Sequence, residues 1–107
     1  MEEQRFEWDL LKEQENLVKH GVSFREARFA FIDPHRVIDD DPVHSHIEER
    51  YYCYGLDEAG KGVLTVRFTL WSGKIRIIGA GYWRKGRKIY EQENQIHGRP
   101  DGKNQTQ

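Results

Sequence analysis

The segment from Val63 to Ala80 constrains the fold more than any other. Leu64, Val66, Phe68 and Leu70 alternate with Thr65, Arg67 and Thr69, the period-two pattern of a strand with one face on a core. Ser72-Gly73 fits a two-residue hairpin loop, and Lys74 to Ala80 returns as the partner strand. So short a loop fixes the register: Trp71 with Lys74, Leu70 with Ile75, Thr69 with Arg76, Phe68 with Ile77. The apolar alternates then share the core face with Ile75 and Ile77. The other face carries Arg67, Thr69, Trp71, Lys74 and Arg76, with Arg67 and Arg76 as diagonal neighbours. Two guanidinium groups held that close repel unless an anion lies between them. The hairpin therefore points to a phosphate-binding face, with Trp71 as a stacking surface at its end. The competing reading pairs each arginine with a nearby carboxylate.

Around this hairpin the other elements are shorter. Asp9 is an N-cap residue for a helix that ends at His20-Gly21, with Leu10, Leu11, Leu17 and Val18 as its apolar stripe. Ser23-Phe24-Arg25-Glu26 matches a capping box, and Phe24, Ala27 and Phe31 share one face of the helix it opens. Asp33-Pro34 stops that helix. Arg36 to Asp39 fits a short edge strand, and Asp40 to Ile47 a polar loop. Arg50 to Leu56 reads as a strand, with either Tyr52, Tyr54 and Leu56 or Tyr51 and Cys53 on the core; the first set buries more apolar surface and is preferred. A last helix runs from about Arg84 to Ile96, and residues 97–107, with Gly98, Pro100 and Gly102, read as a disordered tail. The fold class expected is α+β, one domain over residues 1–96.

Composition narrows the function classes. In 107 residues, 36% are hydrophobic and 33% charged, so the core is small. No apolar run approaches the ~20 residues of a membrane span, and the acidic start Met1-Glu2-Glu3-Gln4-Arg5 is unlike a signal peptide. Cys53 is the one cysteine, which excludes an internal disulfide and a cysteine-rich zinc site. The expectation is a cytoplasmic protein. Its net charge of −1 hides a segregation: residues 1–60 carry 7 basic and 15 acidic residues, whereas residues 61–91 carry 8 basic residues and the single acid Glu91. A local basic surface of that kind can bind phosphate whatever the net charge.

Several other residues carry possible chemistry. His44, His46 and Glu48 would share one face of an extended segment and could ligate a metal, but a solvated loop after Pro42 is the simpler reading. His20 suits acid–base work near neutral pH; it equally suits the carbonyl end of its helix. Cys53, mid-strand among tyrosines, reads as packing. Gly79-Ala80-Gly81 lacks the spacing of a phosphate loop and reads as a bulge or a close backbone approach. Trp83, like Trp8, is a core candidate.

Phe6-Glu7-Trp8-Asp9, the string Asn16-Leu17-Val18-Lys19-His20-Gly21-Val22-Ser23-Phe24 and the Glu26-Ala27 after it together resemble the start of BrnT-family toxins. Phe31-x-Asp33-Pro34, Glu49-Arg50, Ile75-Arg76-Ile77-Ile78 and Tyr90-Glu91 continue the resemblance over roughly residues 5–91. It implies a RelE-like fold, with N-terminal helices packed on a small antiparallel sheet and a C-terminal helix. It also implies a ribonuclease toxin of a type II toxin–antitoxin module. The partner implied is a BrnA-like antitoxin with a ribbon-helix-helix part, and the complex would bind operator DNA.

The cleavage chemistry implied needs neither metal nor cofactor. The ribose 2′-OH attacks the adjacent phosphorus, a base and an acid move protons, and cations stabilise the charge on the phosphate oxygens. The catalytic candidates are Arg67 and Arg76 on the phosphate, with His20, Glu49 and a tyrosine, Tyr82 or Tyr90, for the protons. Lys19, Arg50, Trp71, Lys74 and Lys85 are RNA-binding candidates. The departure from the family lies at position 81, where many relatives carry an arginine (Ser-Ala-Arg) and this chain reads Gly79-Ala80-Gly81. Arg84 is the candidate replacement. That departure keeps open an alternative: a catalytically degenerate homologue that binds the antitoxin and acts as a co-repressor.

Overall fold

The computed structural model describes residues 5–44 and 48–95. The hairpin is its centre. Strand β4, Val63–Trp71, and strand β5, Lys74–Gly81, pair antiparallel in the register expected from Trp71–Lys74 to Phe68–Ile77. Ser72 and Gly73 both have positive φ, 50° and 77°, the backbone of a tight hairpin turn whose twist matches the strands. Strand β3, Tyr51–Leu56, pairs with β4, and the edge strand β2, Val37–Asp40, pairs with β3.

The fifth strand is one that alternation does not signal. Strand β1, Phe6–Glu7, is two residues long and pairs parallel with β5, placing Phe6 beside Ile75 and Glu7 beside Arg76. The sheet, in the order β1-β5-β4-β3-β2, is therefore mixed, not purely antiparallel as expected. So short a strand carries no periodicity to read; the backbone of Arg5, accepting from the Ile75 amide at 3.0 Å, helps hold it in place.

Both faces of the sheet are covered. On one, Leu64, Val66, Phe68, Ile75, Ile77 and Ala80 meet Val22, Phe24, Ala27 and Ala30. Phe24 and Ala27 come from helix α2, Phe24–Ala27, whose capping box forms as expected before a 3₁₀ turn, Arg28–Phe31, continues it. Cys53 and Tyr51 face this main core. Tyr52, Tyr54 and Leu56 face a smaller cluster under helix α3, Arg84–Asn94, with Val63, Ile89 and Tyr90. The preference for these three as residues of the main core is thereby reversed. That preference assumed one covered face, and area alone cannot choose between two. Helix α3 comes close because Gly86 has no side chain: a Cβ there would collide with the Thr65 hydroxyl.

Helix α1, Leu10–His20, starts at the Asp9 cap and ends on Gly21 in the left-handed region, as its sequence signals. Its packing is not as expected. Leu10 and Val18 are 73% and 85% exposed, Leu11 and Leu17 are exposed too, and the one buried residue of the helix is Asn16. Polar bonds hold it instead. Asn16 donates to the carbonyls of Val22 (2.9 Å) and Ala80 (2.8 Å) and accepts from the Ala80 amide (3.2 Å). Glu13 accepts from the amides of Phe24 and Arg25 at the start of α2 and from the Trp8 indole.

A second polar centre ties α3 to the sheet. The buried Asp33 carboxylate accepts from the Tyr90 hydroxyl at 2.6 Å and from the amides of Leu56 (2.9 Å) and His35 (2.8 Å). Burial alone would raise its pKa, but these bonds and the charge of His35 outweigh it, so the carboxyl titrates below its usual range. A depressed folded pKa means stability that is full above the unfolded value and is lost as pH falls through the folded one. Urea midpoints measured downward from pH 5 are expected to fall as Asp33 protonates, and Asp33→Asn should flatten that part of the curve. Asp57, also depressed, contributes in the same direction.

Candidate functional site

The β4–β5 pairing slips by one residue between Phe68, opposite Ile77, and Arg67, opposite Gly79. Ile78 is the extra residue of this bulge, which the glycines at 79 and 81 signalled. A bulge of this kind bends its strand and raises the local twist. A cavity of about 390 Å³ opens there, between the sheet and the ends of two helices.

Each wall has a sequence origin. Asn16 and His20 come from α1, one turn apart; Tyr52 and Tyr54 come from β3; Thr65 and Arg67 come from the matching face of β4. Gly79 and Ala80 form the bulge side, and Trp83, Lys85 and Gly86 the α3 side. Arg67 and Lys85 make no ion pair with another described residue, and among the described residues no carboxylate lines the cavity. The Arg67 guanidinium lies over Gly79, 3.7 Å from where a Cβ would stand. His20 sits edge-on to the Trp83 ring, with centroids 5.0 Å apart.

The tyrosines of this face keep their protons at neutral pH. Burial and the charge of Asp41 raise Tyr52, against the pull of Arg67 beside it. Burial first, then the charge of Asp39, pushes Tyr54 up to about 12. The Thr65 hydroxyl is buried under Gly86 with no hydrogen-bond partner among the described residues.

The cavity gathers His20, Arg67 and Lys85 from the sequence candidates and leaves the others outside. Arg76 is bonded to Glu7 at 2.8 Å, its neighbour on β1, and Lys74 lies 3.8 Å from the same carboxylate. Arg67 and Arg76 keep the diagonal relation expected, Arg76 lying opposite Thr69, but they do not share an anion site: Glu7 already neutralises Arg76, whereas Arg67 lies over Gly79 in the cavity. Trp71 is exposed at the hairpin end. Tyr82 donates to Asp57 at 3.0 Å, and burial together with that bond pushes it up to about 12. Tyr90 is buried on Asp33 and its pKa is raised by burial and by that bond. Glu49 and Lys19 are exposed, and the Glu49 carbonyl accepts from the Thr69 hydroxyl. Arg50 pairs with Glu48 at 3.3 Å. Arg84 is exposed and points no group into the cavity lining.

Sequence reasoning missed Asn16, Tyr52, Thr65 and Trp83. Tyr52 and Thr65 were within reach once Tyr52 is paired with Arg67, but the Asp57–Gly62 turn does not announce the register that pairs them. Cys53 is fully buried, and burial, partly offset by Arg36, pushes its thiol up to about 12; it is a packing residue. Of the possible metal set His44, His46 and Glu48, His46 lies outside the described residues; among those described no group of three potential ligands gathers. Nor, among them, is any helix long and apolar enough to cross a membrane.

A search of curated proteins finds no match to this chain. The family model described as "Ribonuclease toxin, BrnT, of type II toxin-antitoxin system" matches residues 8–86, a span that holds every wall of the cavity.

Proposed function

We propose, for a chain that belongs to the BrnT family of ribonuclease toxins, that this cavity is an endoribonuclease site and that its fold is RelE-like. The observation that carries the reading is the convergence of two cations that make no ion pair among the described residues, one imidazole and a protonated phenol on a single cavity. The substrate's own 2′-OH serves as nucleophile, so the reaction calls for no metal-activated water. His20 takes the 2′-OH proton as the O2′–P bond forms. The P–O5′ bond breaks in line, and the leaving 5′-oxygen takes a proton from Tyr52 or from the protonated His20. Arg67 and Lys85 face the non-bridging oxygens, where negative charge builds in the transition state. The products are a 2′,3′-cyclic phosphate and a 5′-hydroxyl end.

In the cell the toxin acts on cytoplasmic RNA. A BrnA-like ribbon-helix-helix antitoxin neutralises it, and the complex binds operator DNA. The test is induced expression of the chain alone, with growth and total RNA followed together. Growth arrest with RNA cleavage is expected, and purified protein should cleave in the presence of a chelator. A 2′-deoxy substitution at the scissile nucleotide should stop it. Chelator-sensitive cleavage leaving 5′-phosphate ends would overturn the mechanism. Normal growth with intact RNA, from soluble folded protein, would favour the degenerate antitoxin-binding co-repressor over the enzyme.

A further inference from the structure

Trp83 is the exposed aromatic side chain of the site, and no role yet uses it. It stands at the N-terminal boundary of α3, its backbone carbonyl accepting from the Arg87 amide, and contributes no side-chain cap. It lines the cavity and remains 44% exposed. Burying an indole contributes a large hydrophobic gain, so an indole held half open beside two cations has a face to offer a ligand.

Its position is built. The six-membered ring lies over Gly81: a Cβ there would stand 2.5 Å from Cη2 and 2.6 Å from Cζ3, closer than side-chain atoms come. Gly81 is buried and its φ is not in the left-handed region, so the glycine serves the contact, not the backbone conformation. His20 of α1 meets the ring in a T-shaped contact. Two elements thus fix one aromatic plane at the mouth of a cavity that also holds Arg67 and Lys85.

We propose that Trp83 is a base-stacking platform, which seats the nucleobase adjoining the phosphate held by Arg67 and Lys85 and makes single-stranded RNA the substrate class. The inference rests on the ribonuclease reading and deepens it. Stacking requires a base that is free of its own neighbours, as in a single strand or loop; a duplex presents none. The cavity volume, at the low end of the ~300–1,000 Å³ of small-ligand sites, suits about one nucleotide.

The probe is a single-stranded 2′-O-methyl oligoribonucleotide of mixed sequence, which cannot make the 2′-OH attack, so binding is read apart from cleavage. Trp83→Leu should weaken its binding by about 5- to 150-fold, the range for loss of one base–aromatic stack, and Trp83→Phe should recover most of it. The same sequence as a duplex should bind more weakly and be indifferent to Trp83→Leu. In a Trp8→Phe, Trp71→Phe background Trp83 is the remaining indole, and its fluorescence should be quenched as the single strand binds. This second arm leaves Trp83 intact if the leucine variant fails to fold. Binding that leaves that emission unchanged, or that Trp83→Leu does not weaken while Arg67→Ala does, overturns the platform and leaves the ribonuclease reading standing. A wild-type chain that neither binds nor cleaves RNA overturns both.

Discussion

Arg67→Ala is expected to lower RNA cleavage by about 100- to 1,000-fold, the loss seen when one preorganised donor to a developing oxyanion is removed, with little change in stability. The asymmetry follows from the surroundings of the side chain. Arg67 lines the cavity and makes no ion pair with another described residue, so the folded state loses no ion pair when it is truncated. Its value is realised when a phosphate enters and two cations face it without competing carboxylates. Arg67→Lys should recover only part of the activity, because an ammonium supplies charge but not the planar fork that engages two oxygens.

Arg76→Ala is the matched control. Its guanidinium is already bonded to Glu7, a half-exposed pair near the surface, of the kind that contributes ~0–1 kcal/mol. Truncation should change cleavage little, since Lys74 remains near the same carboxylate. The measurement is single-turnover cleavage of an end-labelled RNA by the two variants, with thermal melts to confirm folding. If Arg76→Ala abolished cleavage and Arg67→Ala spared it, the reacting phosphate would belong on the β1–β5 edge, and the cavity would lose its role.

The contrast between these two arginines shows what was legible in the sequence. The hairpin was, because alternation and a two-residue loop are local signals that determine register over several pairs. Both helix caps were, for the same reason. Arg67 and Arg76 were correctly placed on one strand face, but their environments were set by features with no local signature. A two-residue parallel strand brings Glu7 to Arg76, and a one-residue bulge in β5 sets Gly79, which has no side chain, opposite Arg67. The glycines at 79 and 81 announced the irregularity without saying which side chain would use the space. At Gly81 it is Trp83, from two residues further along the chain.

Helix α1 is the plainest case of a pattern that misled, and it carries the largest expected effect on stability. Leu10, Leu11, Leu17 and Val18 look like a buried stripe and are exposed, so serine at Leu10 or Val18 should shift stability by no more than about 0.5 kcal/mol. Asn16→Ala should cost about 3–5 kcal/mol. It strands the carbonyls of Val22 and Ala80 and the amide of Ala80 in the interior, each a penalty of roughly 1–3 kcal/mol. Against the ~5–15 kcal/mol that stabilises a domain this size, that is a large fraction. Asn16→Asp should be no better, since a carboxylate cannot donate to either carbonyl and adds a buried charge. Urea unfolding of the alanine, aspartate and serine variants side by side gives the comparison. Activity should follow, because two of these three bonds dock α1 on Ala80 of β5, next to the bulge, and hold His20 one turn away at the rim of the cavity. A folded Asn16→Ala of near-native stability, or a Val18→Ser as damaging as it, would mean that α1 is anchored by its leucines after all, and that the position of His20 does not depend on the asparagine.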